Sequence, residues 1–240
     1  MKTIFITGNS RGLGLELTKA LLRNPEYTIV SCSRTMSGDL ESLINQYGDR
    51  LKWYEIDLAE VGSVEKKAQE MLQGVAVDIF IDNAAMLYKS LVVKFDYPQL
   101  ENMMKINLLA PMILTKVVIN NFLRNRRKGV ILHYSSICAR KGFDGLSMIA
   151  ATKGGIEAFS RSIAHEYGGK GIRSNVISIG ILDTGMSDTV NSRQREEIVS
   201  MSDLNIITDT ESVFALSEYL ISDRSSAVTS QVFHVNAGII

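Results

Sequence analysis

Cysteine is nearly absent: Cys32 and Cys138 are the only two in 240 residues. One pair cannot build a disulfide scaffold, and free thiols suit a reducing compartment, so a cytoplasmic location is expected. Net charge is also missing, because 26 basic residues are balanced by 26 acidic ones. A chain with no field of one sign offers nothing suited to nucleic acid or to an acidic membrane surface, and neither partner is expected. The small run Arg124, Arg126, Arg127 and Lys128 reads as a solvated loop between a helix and a strand. No apolar stretch is expected to cross a bilayer, no Cys/His cluster has metal spacing, and no repeat, low-complexity tract or linker divides the chain. The opening residues Met1-Lys2-Thr3-Ile4-Phe5-Ile6-Thr7-Gly8 form an apolar run that meets glycine at once, which fits a first strand and not a signal peptide.

What is present alternates. Short β-rich runs at 3–7, 28–33, 52–56, 79–82, 130–134, 174–178 and 232–235 are separated by helical patterns beginning near Leu13, Asp39, Val61, Pro98, Ser147 and Thr210. Several of the runs are apolar on consecutive positions, as strands covered on both faces are. This order predicts an α/β Rossmann fold, a doubly wound parallel sheet of seven strands with helices on both faces, in one domain spanning 1–240. Residues 184–205, rich in Ser, Asp and Arg, are the candidate substrate lid; an ordinary surface excursion is the alternative.

After the first run comes Thr7-Gly8-Asn9-Ser10-Arg11-Gly12-Leu13-Gly14. Glycines are needed where a backbone turns sharply and approaches a pyrophosphate, whose charge then sits among the free N–H groups of a helix N-terminus. A dinucleotide site is therefore expected over Gly8, Ser10, Arg11, Gly12, Leu13 and Gly14. An acidic side chain after the second strand would bond the ribose 2′-OH and repel a 2′-phosphate. This chain has Ser33 and Arg34 there, and Arg34 with Arg11 offers two permanently charged forks for a phosphate. NADPH/NADP+ is predicted over NADH; the alternative is that an arginine merely stacks on adenine or faces solvent. Asp57 and Leu58, ending the third strand, are placed to touch the adenine edge, and Asn83 and Ala84, ending the fourth, lie where ligands bind in open parallel sheets.

With these residues in view, the chain resembles the short-chain dehydrogenase/reductase family over essentially its whole length. The glycine motif matches in full, the family's Asn-Asn-Ala-Gly is Asp82-Asn83-Ala84-Ala85, and its catalytic asparagine and serine are Asn107 and Ser136. The active-site lysine is Lys153 in Ile149-Ala150-Ala151-Thr152-Lys153-Gly154-Gly155. Ile179-Gly180 stands for the usual Pro-Gly, Thr184 for the threonine that contacts the nicotinamide carboxamide, and Val235-Asn236-Ala237-Gly238 resembles Val-Asp-Gly-Gly. The resemblance implies that Lys153 and Gly180 also border the cofactor. Four sites depart from the pattern: Asp82, Ala85, Ile149 and Ile179.

Ile149 falls where the family has its catalytic tyrosine, and an isoleucine carries no proton. In the family, that tyrosine protonates the substrate oxygen as hydride leaves the nicotinamide, the lysine lowers its pKa, the serine holds the oxygen, and the asparagine holds a relay water. Pro111, four residues after Asn107, lacks the N–H that would occupy the Asn107 carbonyl, leaving it for water or else only kinking a long helix. Replacement donors are Tyr88 and Lys153 itself. Tyr134, His133 and His165 read as packing, structural or surface residues, and Cys138 as a pocket-lining one. Two functions remain open: an NADPH-dependent reductase of a carbonyl in a 3-oxoacyl thioester or small ketone (conjugate reduction of a double bond being a variant), or a noncatalytic cofactor-binding subunit. The resemblance also implies a homo-oligomer, or pairing with an active paralogue, through the helices containing Asn107 and Lys153.

Overall fold

Strand β1 (Lys2–Thr7) shows why the sheet is sandwiched. Ile4 and Ile6 point to one side and Phe5 to the other, and all three are completely buried, as the two-residue period of a strand covered on both faces demands. A computed structural model of the chain describes residues 1–182, 196–197 and 199–239. In it β1 is followed by α1 (Gly12–Leu22), β2 (Tyr27–Ser33), α2 (Gly38–Tyr47), β3 (Leu51–Glu55), α3 (Val61–Met71), β4 (Ile79–Asp82), α4 (Tyr97–Met104) and α5 (Ala110–Arg124). Then come β5 (Val130–Ser136), α6 (Ser147–Tyr167), β6 (Arg173–Ile179), α7 (Thr210–Ile221) and β7 (Val232–Val235). The strands form one sheet in the order β3-β2-β1-β4-β5-β6-β7, and every pairing is parallel.

The core divides along the sheet. On one face Leu17 and Leu21 of α1, Leu40 of α2, and Val213 and Leu220 of α7 pack on Ile4, Ile6, Ile81 and Leu132. On the other, Val64 and Ala68 of α3, Val118 and Phe122 of α5 and Ile163 of α6 pack on Phe5, Phe80 and Ile131. The chain reverses its winding between β1 and β4, the place where open α/β sheets leave a crevice at the carboxyl ends of their strands. Several helices start on side chains that accept a backbone N–H: Ser37 from Leu40, Asp96 from Gln99, and Asp209 from Ser212.

The predicted strands agree to within a residue or two, with β5 reaching Ser136 and β6 spanning Arg173–Ile179. The long helix differs from expectation in two ways. Tyr97–Arg124 is continuous, and at its centre Lys105–Leu109 is a π-turn in which the Ala110 N–H donates to the Lys105 carbonyl. Pro111 supplies the cause, since its missing N–H breaks the i→i−4 ladder at Asn107 and the helix answers by widening one turn, not by bending apart. The expectation that no apolar stretch could cross a bilayer is corrected as well, for this helix is long and apolar enough to do so by length and composition. Its apolar window is 56% buried inside the protein, where it covers the sheet. Residues 183–195, where much of the candidate lid falls, lie outside the described residues. The far side of that excursion is anchored: the Leu204 N–H and the Ser202 hydroxyl both donate to the Ala237 carbonyl, just past β7.

Candidate functional site

The glycine loop sits at the carboxyl end of β1. Gly8 and Gly12 have φ of +71° and +56°, a region that side-chain-bearing residues avoid. A Cβ on Gly8 would lie 2.7 Å from the Ala84 Cα, and one on Gly14 would collide with the Gly8 carbonyl oxygen and the Asn83 amide. The loop is thus a cradle that closes if either glycine gains a side chain. Asn83 is part of its wall, since its Nδ2 donates to the carbonyls of both Thr7 and Gly8 at 3.0 Å. The Thr7 hydroxyl accepts from the N–H groups of Asn83 and Ala84, also at 3.0 Å. Asn83 and Ala84, read from the sequence as cofactor contacts, therefore spend these groups on shaping the loop. Arg11 precedes α1 in an extended conformation with no side-chain cap, leaving the helix N-terminus open at the cleft, with Leu13 half-buried behind it.

Asn9 is the residue the sequence reading passed over. It is fully buried, and neither its Oδ1 nor its Nδ2 has a hydrogen-bond partner. Buried amides are rarely left so. Its neighbours tie it to the β2 side of the loop: the Gly8 N–H donates to the Cys32 carbonyl, and the Ser37 hydroxyl donates to the Ser10 carbonyl. A glycine cradle at an uncapped helix N-terminus, with an orphaned amide in its wall, fits the pyrophosphate of a dinucleotide. Nothing in the pattern of glycines signals Asn9, because that pattern concerns backbone.

At the end of β2, the Ser33 hydroxyl is already committed, donating to the Thr35 carbonyl and accepting from the Trp53 indole at 2.7 Å. Arg34 and Arg11 are both exposed, and no salt bridge involves either among the described residues. The Asp57 carboxylate accepts from the Ala59 N–H, and Leu58 is buried in the core beneath. Gly180 follows β6 directly, and a Cβ there would lie 2.8 Å from the Asn236 Cα. Thr184 lies outside the described residues.

Asn107, Ser136 and Lys153 are gathered by three elements at the same edge. Asn107, buried in the π-turn, clamps Met86 by accepting its N–H at 2.7 Å and donating to its carbonyl at 2.8 Å. Its Nδ2 also lies 3.4 Å from the hydroxyl of Thr152, the neighbour of Lys153. Lys153 extends from α6 to donate to the Tyr134 carbonyl at 2.8 Å, two residues before Ser136. The Ser136 hydroxyl accepts from the Cys138 N–H at 3.3 Å and keeps its own proton to give. Burial pushes the Lys153 ammonium below the usual lysine range, with the charge of Asp82 opposing that shift.

Ile149 is 6% exposed, in an apolar cluster with Met103 and Met148, against which Met86, Tyr88, Leu100, Cys138 and Leu146 pack. Tyr88 is therefore near the vacated tyrosine position, but its hydroxyl oxygen accepts the Asp96 N–H at the start of α4. Tyr134 is no donor to the pocket. Its hydroxyl meets Ser217 of α7 at 2.7 Å on the opposite face of the sheet, and burial raises its pKa. Cys138 is partly buried, and burial raises its thiol pKa as well, which suits lining and not nucleophilic attack. His165 is exposed, whereas His133 is fully buried with its Nδ1 3.0 Å from an oxygen of Asp82.

A seven-stranded parallel sheet wound in both directions, with a glycine cradle at its reversal point, defines a Rossmann-type α/β protein. The fold is shared with 4-hydroxyisoleucine dehydrogenase complexed with NADH, which superposes with a TM-score of 0.94 at 23% identity, covering 100% of this chain and 98% of the other. Sequence comparison narrows the class. A family model described as enoyl-(acyl carrier protein) reductase matches residues 7–240. Nodulation protein G of Rhizobium meliloti is 30% identical over 98% of this chain and 95% of its own length. The 3-oxoacyl-(acyl-carrier-protein) reductase FabG of Rickettsia felis is 30% identical over 100% and 97%. The chain belongs to the short-chain dehydrogenase/reductase family.

Proposed function

We propose that this protein is an NADPH-dependent reductase of a carbonyl carried by a 3-oxoacyl thioester or a small ketone, with Lys153 in place of tyrosine as the proton source. The observation that carries the reading is Lys153 itself: a buried ammonium, displaced by burial toward the operating pH, beside a position that can no longer transfer a proton. A general acid works best when its pKa lies near that pH. When bound, the nicotinamide supplies a hydride to the carbonyl carbon. Gly8, Ser10, Gly12, Leu13 and Gly14 would hold its pyrophosphate, Arg11 and Arg34 its 2′-phosphate, and Gly180, Thr184 and Lys153 the nicotinamide end. Ser136 donates a hydrogen bond to the substrate oxygen, Lys153 gives that oxygen a proton directly or through one water, and the resulting amine recovers its proton from solvent. The FabG relative and the matched family, both named for acyl-carrier-protein reductases, support a thioester substrate. The family's description also keeps reduction of a conjugated double bond as a variant. NADPH consumption with 3-oxoacyl thioesters, enoyl thioesters and small ketones tests the reading, and no turnover above background with any of them would overturn it.

A second reading is favoured by the closed, methionine-lined surroundings of Ile149: a noncatalytic subunit that binds the dinucleotide. In either case a homo-oligomer, or pairing with an active paralogue, is proposed. A groove between α5 and α6, lined in part by Met112, Ile119, Phe159 and Tyr167, offers apolar surface for it. Sedimentation of the purified protein and co-purification with paralogues separate these assemblies. Two free thiols fit a cytoplasmic setting.

A further inference from the structure

Two of the four departures from the family pattern, Asp82 and Ile149, meet at one lysine. Asp82 ends β4 with its side chain 4% exposed. A carboxylate at that depth is costly unless it is bonded and its charge is answered. Its bonds are to the His133 Nδ1 at 3.0 Å and from the Thr7 hydroxyl at 3.5 Å. His133 lies opposite it in the β4–β5 register, with its ring edge-on to Phe80 and Phe159. The ring's Nε2 is buried with no partner at all. Through the contact at Nδ1, His133 orients the carboxylate.

The Asp82 charge also acts on a cation one helix away. Lys153 is buried, and its ammonium bonds the carbonyl of Tyr134, the residue next to His133. The charge acting on it is that of Asp82 from β4; Glu157 lies one turn along its own helix, and the Tyr134 hydroxyl is turned to the opposite face of the sheet. Glu157 is occupied by the Ser135 hydroxyl at 2.7 Å. The reach of the Asp82 charge shows a second time at Cys32 on β2, whose thiol is pushed up to about 12 by burial and then by Asp82.

We infer that Asp82, oriented by His133, is a positioning residue that holds buried Lys153 in its ammonium form, so that the acidic side chain in place of the family's asparagine compensates for the lost phenol. The inference rests on the reductase reading for its catalytic meaning. Asp82 neither gains nor loses a proton in the step: the proton passes from the Lys153 ammonium to the substrate oxygen, an N–H bond breaks as an O–H bond forms, and water restores the ammonium.

Asp82→Asn tests this, because it keeps the shape while removing the charge, with the amide oxygen left to accept from Thr7 and the amide N–H to donate to a His133 ring in its other tautomer. Heteronuclear NMR of the Lys153 Nζ, titrated in the cofactor-free protein, is expected to show a midpoint lower than wild type by about one unit or more, and the alkaline limb of the reduction rate should move down by the same amount. Asp82→Ser, smaller and equally uncharged, gives the same reading should the amide fail to fold. An unchanged Lys153 midpoint in the folded variant overturns the inference. A shifted midpoint with no carbonyl reduced by the wild type leaves the hold of Asp82 on Lys153 standing and removes the reductase reading instead.

Discussion

The two ends of the cleft are built on different principles. At the β1–β2 end, recognition is carried by backbone: two glycines at positive φ, an open helix N-terminus, and a loop stitched down by Thr7 and Asn83. At the β5–α6 end, the chemistry depends on individual side chains, and there one has been exchanged for isoleucine. The glycine cradle admits little change, because a Cβ on Gly8 or Gly14 meets backbone within contact distance. The reacting end tolerates Ile149 because the position is one turn of a buried helix face, where an aliphatic side chain packs as well as a phenol does. The glycine cradle is therefore retained while the tyrosine position is not.

Four substitutions test this contrast, and the largest effect belongs to the reacting end. Lys153→Met removes the proposed donor while keeping the length of the side chain, and the reduction rate should fall by about 10²- to 10⁴-fold, the usual contribution of a general acid. The wild-type pH profile carries the same information. The donor must be protonated, so the rate holds below the lowered Lys153 midpoint and declines as pH rises through it. A profile flat through that region would break the assignment. At the other end, Gly14→Ala forces a methyl group against the Gly8 carbonyl and the Asn83 amide. It should destabilise the protein by about 1–3 kcal/mol in thermal unfolding and abolish saturable NADPH binding in titration. Arg34→Ala is narrower: losing charge-assisted bonds to a phosphate should weaken NADPH by about 10- to 100-fold and leave NADH unchanged. Equal losses for both dinucleotides would mean that Arg34 stacks on adenine. The smallest effect is expected from Ile149→Tyr. If the proton source has moved to Lys153, turnover should change by less than about tenfold, well short of a full general-acid contribution; a gain of that full size would instead favour the noncatalytic reading of the parent chain.

Much of the architecture was legible because it rests on local pattern. Phe5 between Ile4 and Ile6 reports burial on both faces, and glycines between a strand and a helix report a tight turn at a helix N-terminus. Asn107, Ser136 and Lys153 could be found by their order along the chain. What stayed hidden depends on partners distant in sequence. Tyr134 could be called a packing residue from its parity, but its hydroxyl partner, Ser217, lies on another helix. Asn83 is placed at the cleft by the sequence, but only the fold shows its amide holding the glycine loop. Tyr97–Arg124 reads as free of membrane-length character until its continuity through the π-turn is visible, and its apolar surface is explained only by the sheet beneath it.

The sequence by itself determined the winding of the sheet, the position of the cradle and the loss of the phenol, because each is written in residues close together or in the identity of one residue. Only the tertiary structure decided that Asn9 is buried without a partner, that Asp82 faces His133 across neighbouring strands, and that Lys153 reaches the end of β5. Burial and charge pairing are properties of neighbours in space, and β4, β5 and α6 become neighbours only when the chain has folded.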